Sequence, residues 1–311
     1  MASLTQPRLK PKRSPTFWRD TLCGYLFILP VVLGLLIWTF GPMIASAYYS
    51  LTDYKIVDEP VFIGLKNFVE LFTKDRLFAQ SLSVTFRYAI MYVILGQVVG
   101  LLLAKLLTQR VRGLSFFRTL FYLPIIVPLV ASALLWRYMF NKEYGPINAM
   151  FQSVGLQGPN WLGSPDSALF SMVIISVWTG AVTTIIYVAG LQQVPEELYD
   201  SAKIDGANAL QSFRFVTIPM LSPTIFFNVV TGIIASFQFF IPAFVITQGE
   251  GGPVYSTYFY NLNLYDKAFR WLEMGYASAM AWVMFGIIIA LTLLIFRSSP
   301  LWVYYEGGVR E

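Results

Sequence analysis

The sequence of 311 residues contains no histidine and a single cysteine, Cys23. Without histidine the chain lacks the commonest metal ligand and the commonest general base, which removes the usual residue from most hydrolytic and metalloenzyme chemistries. A lone thiol forms no intramolecular disulfide. Charge is scarce too: 13% of residues are Asp, Glu, Lys or Arg, about half the share usual in a soluble globular domain. There is no G-x-x-x-x-G-K-[ST] run, so the chain carries no phosphate-cradling loop of that kind for nucleotide hydrolysis. What is abundant is apolar surface: 56% of residues are hydrophobic and the mean hydropathy is +0.61. A lipid bilayer is the expected solvent.

A membrane-spanning helix needs roughly 20 mostly apolar residues. Uncharged intervals locate six candidates, at residues 21–52, 88–104, 119–136, 167–195, 215–249 and 274–296. Arg87 and Lys105 flank the second and can snorkel to the interface. A seventh uncharged interval, 144–165, contains Gly145, Pro146, Gly155, Gly158, Pro159, Gly163 and Pro165, and reads as turns and loop. Six spans put both termini on one side. The segments on that side carry Arg8, Lys10, Lys12, Arg13, Arg19, Arg110, Arg112, Arg118, Lys203, Arg214, Arg297 and Arg310; the other side has Lys55, Lys66, Lys74, Arg76, Lys142, Lys267 and Arg270. The richer side is assigned to the cytoplasm. This distribution accounts for the sequence pI near 9.2 without a nucleic-acid partner. The basic start, apolar run and Ala45-Ser46-Ala47 mimic a secretory signal, but the run is long and five spans follow, so the first span is read as permanent. The expected class is an all-α integral membrane protein: a cytoplasmic segment 1–20, a six-helix domain 21–298 and a cytoplasmic tail 299–311.

One polar island interrupts the apolar runs, from Val194 to Pro219. Pro195 suits a first helical turn, and Glu196 and Glu197 sit well at the positive end of a helix dipole. Leu198, Tyr199 and Ala202 form a small apolar surface, and Gly206 is placed to end the helix in the left-handed conformation. A second short helix is expected from about Ala207 to Phe215, with Pro219 and Pro223 marking entry into the fifth span. The result is a cytoplasmic two-helix knuckle. Its four acids, Glu196, Glu197, Asp200 and Asp205, face only Lys203 and Arg214. Surface helices that lie on lipid are usually basic, so a protein partner is expected.

Asp200-Ser-Ala-x-x-Asp-Gly206-Ala207, followed by Ile218-Pro219, resembles the E-A-A-x-x-x-G…I-x-L-P signature of permease subunits of binding-protein-dependent ABC importers. Trp178 with Ala189 to Tyr199, Arg118 to Pro124, and Met274 to Met280 are similar to the carbohydrate branch of that family, of the maltose, lactose and glycerol-phosphate type. The resemblance runs from about residue 20 to 305. It implies a type I importer permease in a prokaryotic inner membrane, one of two distinct permeases working with two ATPase subunits and an extracytoplasmic binding protein. ATP and magnesium then belong to the ATPase, and this chain holds no cofactor or metal. The island becomes the coupling loop, with Glu197, Asp200, Ser201, Ala202, Asp205, Gly206, Ala207 and Pro219 as its contact residues. Three departures stand out: Asp200 and Ser201 replace the leading Glu and Ala, Thr247-Gln-Gly-Glu-Gly-Gly-Pro253 carries extra residues, and the large insertion of the maltose-type long permease is missing. The resemblance also places the substrate path on spans four to six. There Asn228, Thr231, Gln238 and Phe239 offer the neutral polar groups and the aromatic ring that suit a sugar. The same polar residues also serve as ordinary interhelical hydrogen-bonding groups.

The expected function is translocation of a sugar or oligosaccharide. The alternative is a stand-alone secondary transporter of a neutral polar solute, which the lack of charge in spans three to six disfavours because it leaves no coupling-ion site. An intramembrane enzyme lacks a catalytic constellation. The topology is directly testable in a Cys23→Ser background. A membrane-impermeant thiol reagent is expected to label Gln157→Cys from outside intact cells and Asp205→Cys only in inside-out vesicles; the reverse pattern would invert the assignment.

Overall fold

The structure, a computed structural model, describes residues 17–109 and 111–304. Arg8, Lys10, Lys12, Arg13, Arg110 and Arg310, all counted in the topology assignment, lie outside the described residues. The first helix, α1 (Phe17–Ser50), is long and apolar enough to cross a membrane. None of its residues from Phe17 to Leu35 is buried, and only the following segment Gly41–Ser50 packs on the last helix. A hairpin follows, β1 (Thr52–Asp53) against β2 (Val61–Phe62), antiparallel with Thr52 opposite Phe62. The short helix α2 (Lys66–Thr73) is tied to it by the buried Asn67 amide, which donates to the carbonyls of Ser50 and Thr52 at 3.0 and 2.9 Å.

The second span, α3 (Arg76–Leu107), starts well before the uncharged interval 88–104, and Arg87 stands inside the helix rather than at its end. The reason is local: the Asp75 carboxylate accepts the Phe78 amide at 3.0 Å and caps the helix there. At the other end Arg118 donates to the Leu107 carbonyl at 3.2 and 2.9 Å, satisfying an acceptor the helix leaves free.

The third, fourth and fifth intervals are bent pairs instead of continuous helices. α4 (Leu114–Ile126) and α5 (Leu129–Met139) meet at 104°. Val127 is extended before Pro128, as the proline ring demands of its predecessor. The interval 144–165 contains one short helix, α6 (Pro146–Ser153), about 12 Å long and so no span. α7 (Pro165–Thr179) and α8 (Ala181–Gln192) bend by 47° at Gly180. Then come α9 (Glu196–Ile204) and α10 (Ala209–Met220), the latter joined at 66° to α11 (Ser222–Phe237). The second knuckle helix thus runs past Phe215, absorbs Pro219 into its last turn and bends at Leu221. Interval 215–249 breaks again after Phe237, and α12 (Ile241–Thr247) completes it. α13 (Tyr260–Tyr265) and α14 (Met274–Trp302) close the chain, α14 continuing past residue 298. Among the described residues, three helices are long and apolar enough to cross a bilayer unaided, with up to six spans when each bent pair counts as one.

α3 is the axis of the bundle and packs against α7, α8, α11 and α13. Its Tyr88 and Val84 join Met172, Val173 and Ile175 of α7 and Phe259 in one core cluster. Its Phe78 and Ala89 join Phe237, Tyr260 and Met280 in a second. The Tyr260 amide donates to Thr85 Oγ1 at 2.9 Å and its hydroxyl to the Met280 carbonyl at 2.8 Å, tying α13 to α3 and α14. Just after α13, Arg270 pairs with buried Asp266 at 3.2 Å and donates to the Gly249 carbonyl at 3.1 Å, which fixes the glycine-rich loop to the same corner. Burial raises the Asp266 carboxyl above its usual range, opposed by the Tyr258 hydroxyl and Arg270.

The hairpin sits on α14 because Gly275 has no side chain: a Cβ there would lie 2.2 Å from the Thr52 carbonyl oxygen. Gly275→Ala is expected to cost about 1–3 kcal/mol of stability through this clash. Gly286→Ala, which meets nothing within 4 Å, is expected to leave thermal unfolding unchanged or slightly raised. Comparison of the two melting temperatures in detergent checks the pair.

Candidate functional site

The candidate residues fall in or near two regions, which α8 connects. The first is the knuckle. Pro195 is extended and leads into α9, whose first turn holds Glu196 and Glu197 and whose last holds Lys203. Gly206 adopts φ +79°. Its amide donates to the Lys203 carbonyl at 3.0 Å, and the Ala207 amide to the Ala202 carbonyl at 2.8 Å. These two bonds are the left-handed closure that the sequence pointed to. α10 begins with a reciprocal cap: Asn208 Oδ1 accepts the Gln211 amide at 2.9 Å, and Gln211 Oε1 accepts the Asn208 amide at 2.8 Å. The reading of the sequence missed this pair, although Asn208-x-x-Gln211 is a legible capping box. Tyr199 and Thr217 share a hydroxyl hydrogen bond at 3.0 Å that binds α9 to α10. Lys105 at the end of α3 stands 4.1 Å over the Phe213 ring, so the knuckle also rests on the bundle.

The proposed contact residues are distributed over this body. Glu197, Asp200, Ser201, Asp205, Gly206 and Pro219 are exposed, while Ala202 and Ala207 are half-buried. Asp200 is not a free charge, since Lys203 pairs with it at 2.8 Å and its carboxylate lifts the lysine above its usual range. An exposed pair of this kind contributes little to stability because water and salt screen it, so either partner is easily taken over by another chain. Two exposed apolar residues flank the turn: Ile204 is 87% and Leu210 75% exposed. Ile204 went unremarked in the sequence. Polar helices carrying exposed apolar tips have the make-up of a docking surface.

The second region is a cavity of about 410 Å³ where the three broken spans meet. Leu129 enters from the α4–α5 break, Gly180 from the α7–α8 break, and Gln238, Phe239 and Phe240 from the α11–α12 break. Tyr88 and Tyr92 of α3 form its wall, stacked with ring centres 5.7 Å apart. The Tyr88 hydroxyl donates to Ser176 at 2.6 Å, and its ring lies 4.6 Å from Phe239. Thr179 supplies another hydroxyl. Among the described residues lining the cavity none is charged. A surface of rings, hydroxyls and one side-chain amide binds neutral polar molecules with an apolar face.

Of the four substrate-path candidates, Gln238 and Phe239 line this cavity. Asn228 and Thr231 do not. The Thr231 hydroxyl donates to the Phe227 carbonyl at 2.9 Å on an exposed face of its own helix. Asn228 is 1% exposed, and neither amide atom has a hydrogen-bond partner. Each such atom costs about 1–3 kcal/mol. Tyr88, Tyr92, Ser176 and Thr179 escaped the sequence because nothing in an apolar run tells which side chains a bend will turn toward a hollow.

Residues 96–302 match the family described as the binding-protein-dependent transport system inner membrane component. The probable ABC transporter permease protein YesP of Bacillus subtilis is 43% identical over 298 residues, 95% of this chain and 96% of that protein. The trehalose/maltose transport system permease protein MalF of Thermococcus litoralis is 31% identical over 283 residues, 90% of this chain and 94% of its own. Among solved structures, a bacterial alginate ABC transporter in complex with an alginate pentasaccharide-bound periplasmic protein superposes with a TM-score of 0.78, covering 91% of this chain and 97% of that one. At 20% identity the last likeness is one of fold.

The capping box gives a local test. Asn208→Ala is expected to loosen the knuckle by about 1 kcal/mol. Limited proteolysis between residues 204 and 212 should accelerate several-fold while the melting temperature of the bundle stays put.

Proposed function

The chain belongs to the family of inner membrane components of binding-protein-dependent transport systems, and on that premise we propose how its geometry serves import. It is a permease subunit of an ABC importer, set in the inner membrane. In the proposed arrangement each bent pair forms one span, so six spans leave the knuckle and both termini in the cytoplasm. That orientation is supported by the lysine and arginine distribution. A second, distinct permease, two ATPase subunits and an extracytoplasmic binding protein complete the assembly, with ATP and magnesium held by the ATPases.

The substrate we propose is a sugar or oligosaccharide. The observation that carries it is the uncharged cavity walled by Tyr88, Tyr92 and Phe239, with Gln238, Ser176 and Thr179 as hydrogen-bonding groups. Sugar hydroxyls need donors and acceptors, and sugar C–H faces stack on rings. The relative from Thermococcus is named for trehalose and maltose transport, which agrees. Gln238 and Phe239 remain the assigned path residues, joined by the tyrosines of α3.

The knuckle is the proposed coupling element. Glu197, Asp200, Ser201, Ala202, Asp205, Gly206, Ala207 and Pro219 form or frame the surface that a cleft in the ATPase receives, with Ile204 and Leu210 as apolar anchors. ATP-driven motion reaches the cavity along α8, about 18 Å from Gly180 to Gln192.

Gly206→Val tests the reading in the full complex. A β-branched residue at φ +79° opens the closure of α9 without meeting any neighbour. Uptake and ATPase association are expected to fall by about tenfold or more while affinity for the binding protein is kept. Intact uptake would remove the coupling role.

A further inference from the structure

Asn228 belongs neither to the cavity nor to the knuckle, and its surroundings suggest why a membrane helix keeps an unpaired amide. It lies beside the Tyr187 hydroxyl of α8, which donates instead to Gln97 Oε1 of α3. α3 and α8 are close-packed at this level: a Cβ on Gly100 would stand 3.0 Å from Thr183 and 3.6 Å from Tyr187. The Gln97–Tyr187 couple therefore joins two closely packed helices. The other half of the Gln97 amide, Nε2, rests over Gly232 of α11, 3.7 Å from where a Cβ would be. Gly232 follows Asn228 by four residues, so both lie on one face of α11, a turn apart. Gln97 thus points a donor at the bare turn of α11, and the buried amide able to receive it waits one turn back.

We infer that Asn228 is a positioning residue of the transport cycle: in a second arrangement α11 stands displaced along α3 toward its Gln238 end, and Asn228 takes the place of Gly232 against Gln97. The displacement is at most one helical turn, about 5.4 Å, a step that packed helices are able to make between discrete states. Asn228 pairs in the second state and is unpaired in the first, so it biases the equilibrium toward the second. The glycine at 232 leaves the track smooth for Gln97. Its role in transport rests on the importer reading; the pairing itself does not.

Two measurements test it. Asn228→Leu fills the same space without polar atoms, so it stabilises the arrangement described here and weakens the other. The purified chain is expected to melt about 2–4 °C higher, while the reconstituted importer loses about tenfold in maximal uptake. A merely structural residue would move stability and transport in the same direction. Independently, in a Cys23→Ser background, paired cysteines at Gln97 and Gly232 or at Gln97 and Asn228 report the register of the two helices. Binding protein and ATP are expected to raise the second cross-link at the expense of the first. A cross-link ratio indifferent to ATP, or Asn228→Leu losing stability and uptake together, would overturn the inference. Absence of ATP-driven uptake by the wild-type complex would instead overturn the importer reading, leaving the melting temperature to judge the unpaired amide.

Discussion

The bilayer supplies no hydrogen bonds, so a helix that breaks inside it must find partners for the backbone groups it frees. That constraint organises this molecule. The breaks near Pro128, Gly180 and Gln238 each reuse nearby groups. The Ser132 amide turns to the Pro128 carbonyl at 2.9 Å, and the Gly180 amide keeps the Ser176 carbonyl at 2.8 Å. Asn261, reaching from α13, donates to the Phe237 carbonyl at 3.1 Å. Because the breaks face one another, the irregular backbone lines a shared hollow, and the hollow is where hydroxyl, amide and aromatic side chains meet.

Cavity and knuckle are two ends of one piece of chain. From Gly180 the backbone runs through α8 to Val194, through the two knuckle helices and back along α11 to Gln238. Each end is fixed locally: the knuckle by its glycine closure, its reciprocal cap and the Tyr199–Thr217 bond, the cavity by the stacked tyrosines and Phe239. Motion imposed at one end has no slack segment in which to dissipate. An importer driven by a separate ATPase requires that property of its permease.

The parts legible in the sequence are those decided by short-range chemistry. Pro195, the paired glutamates and Gly206 specify a capped helix and its ending without help from distant residues. The apolar intervals revealed where the chain enters lipid, since charge is excluded there. They did not reveal that α3 starts at Arg76, because a capping aspartate outweighs the charges inside the first turns. Nor did they reveal the bends at Gly180 and Leu221, where the residues also suit straight helices. The site suffered most from this gap. Gln238 and Phe239 lie at a break and reach the cavity. Asn228 and Thr231 lie on a helix whose rotation no composition encodes, and they face elsewhere.

The bend at Leu221 also has a mechanical meaning. Backbone bonds reach Leu221 from both sides, its amide donating to the Thr217 carbonyl at 2.9 Å and its carbonyl accepting from the Ile225 amide at 2.8 Å, and its side chain is buried. The bend thus has the build of an elbow, with a buried residue at its apex and helix on either side. The arm on the knuckle side is about 18 Å long and the arm toward the cavity about 24 Å. A rigid turn about Leu221 would carry the Gln238 end about a third farther than the knuckle end, so the lengths of α10 and α11 set a gear ratio.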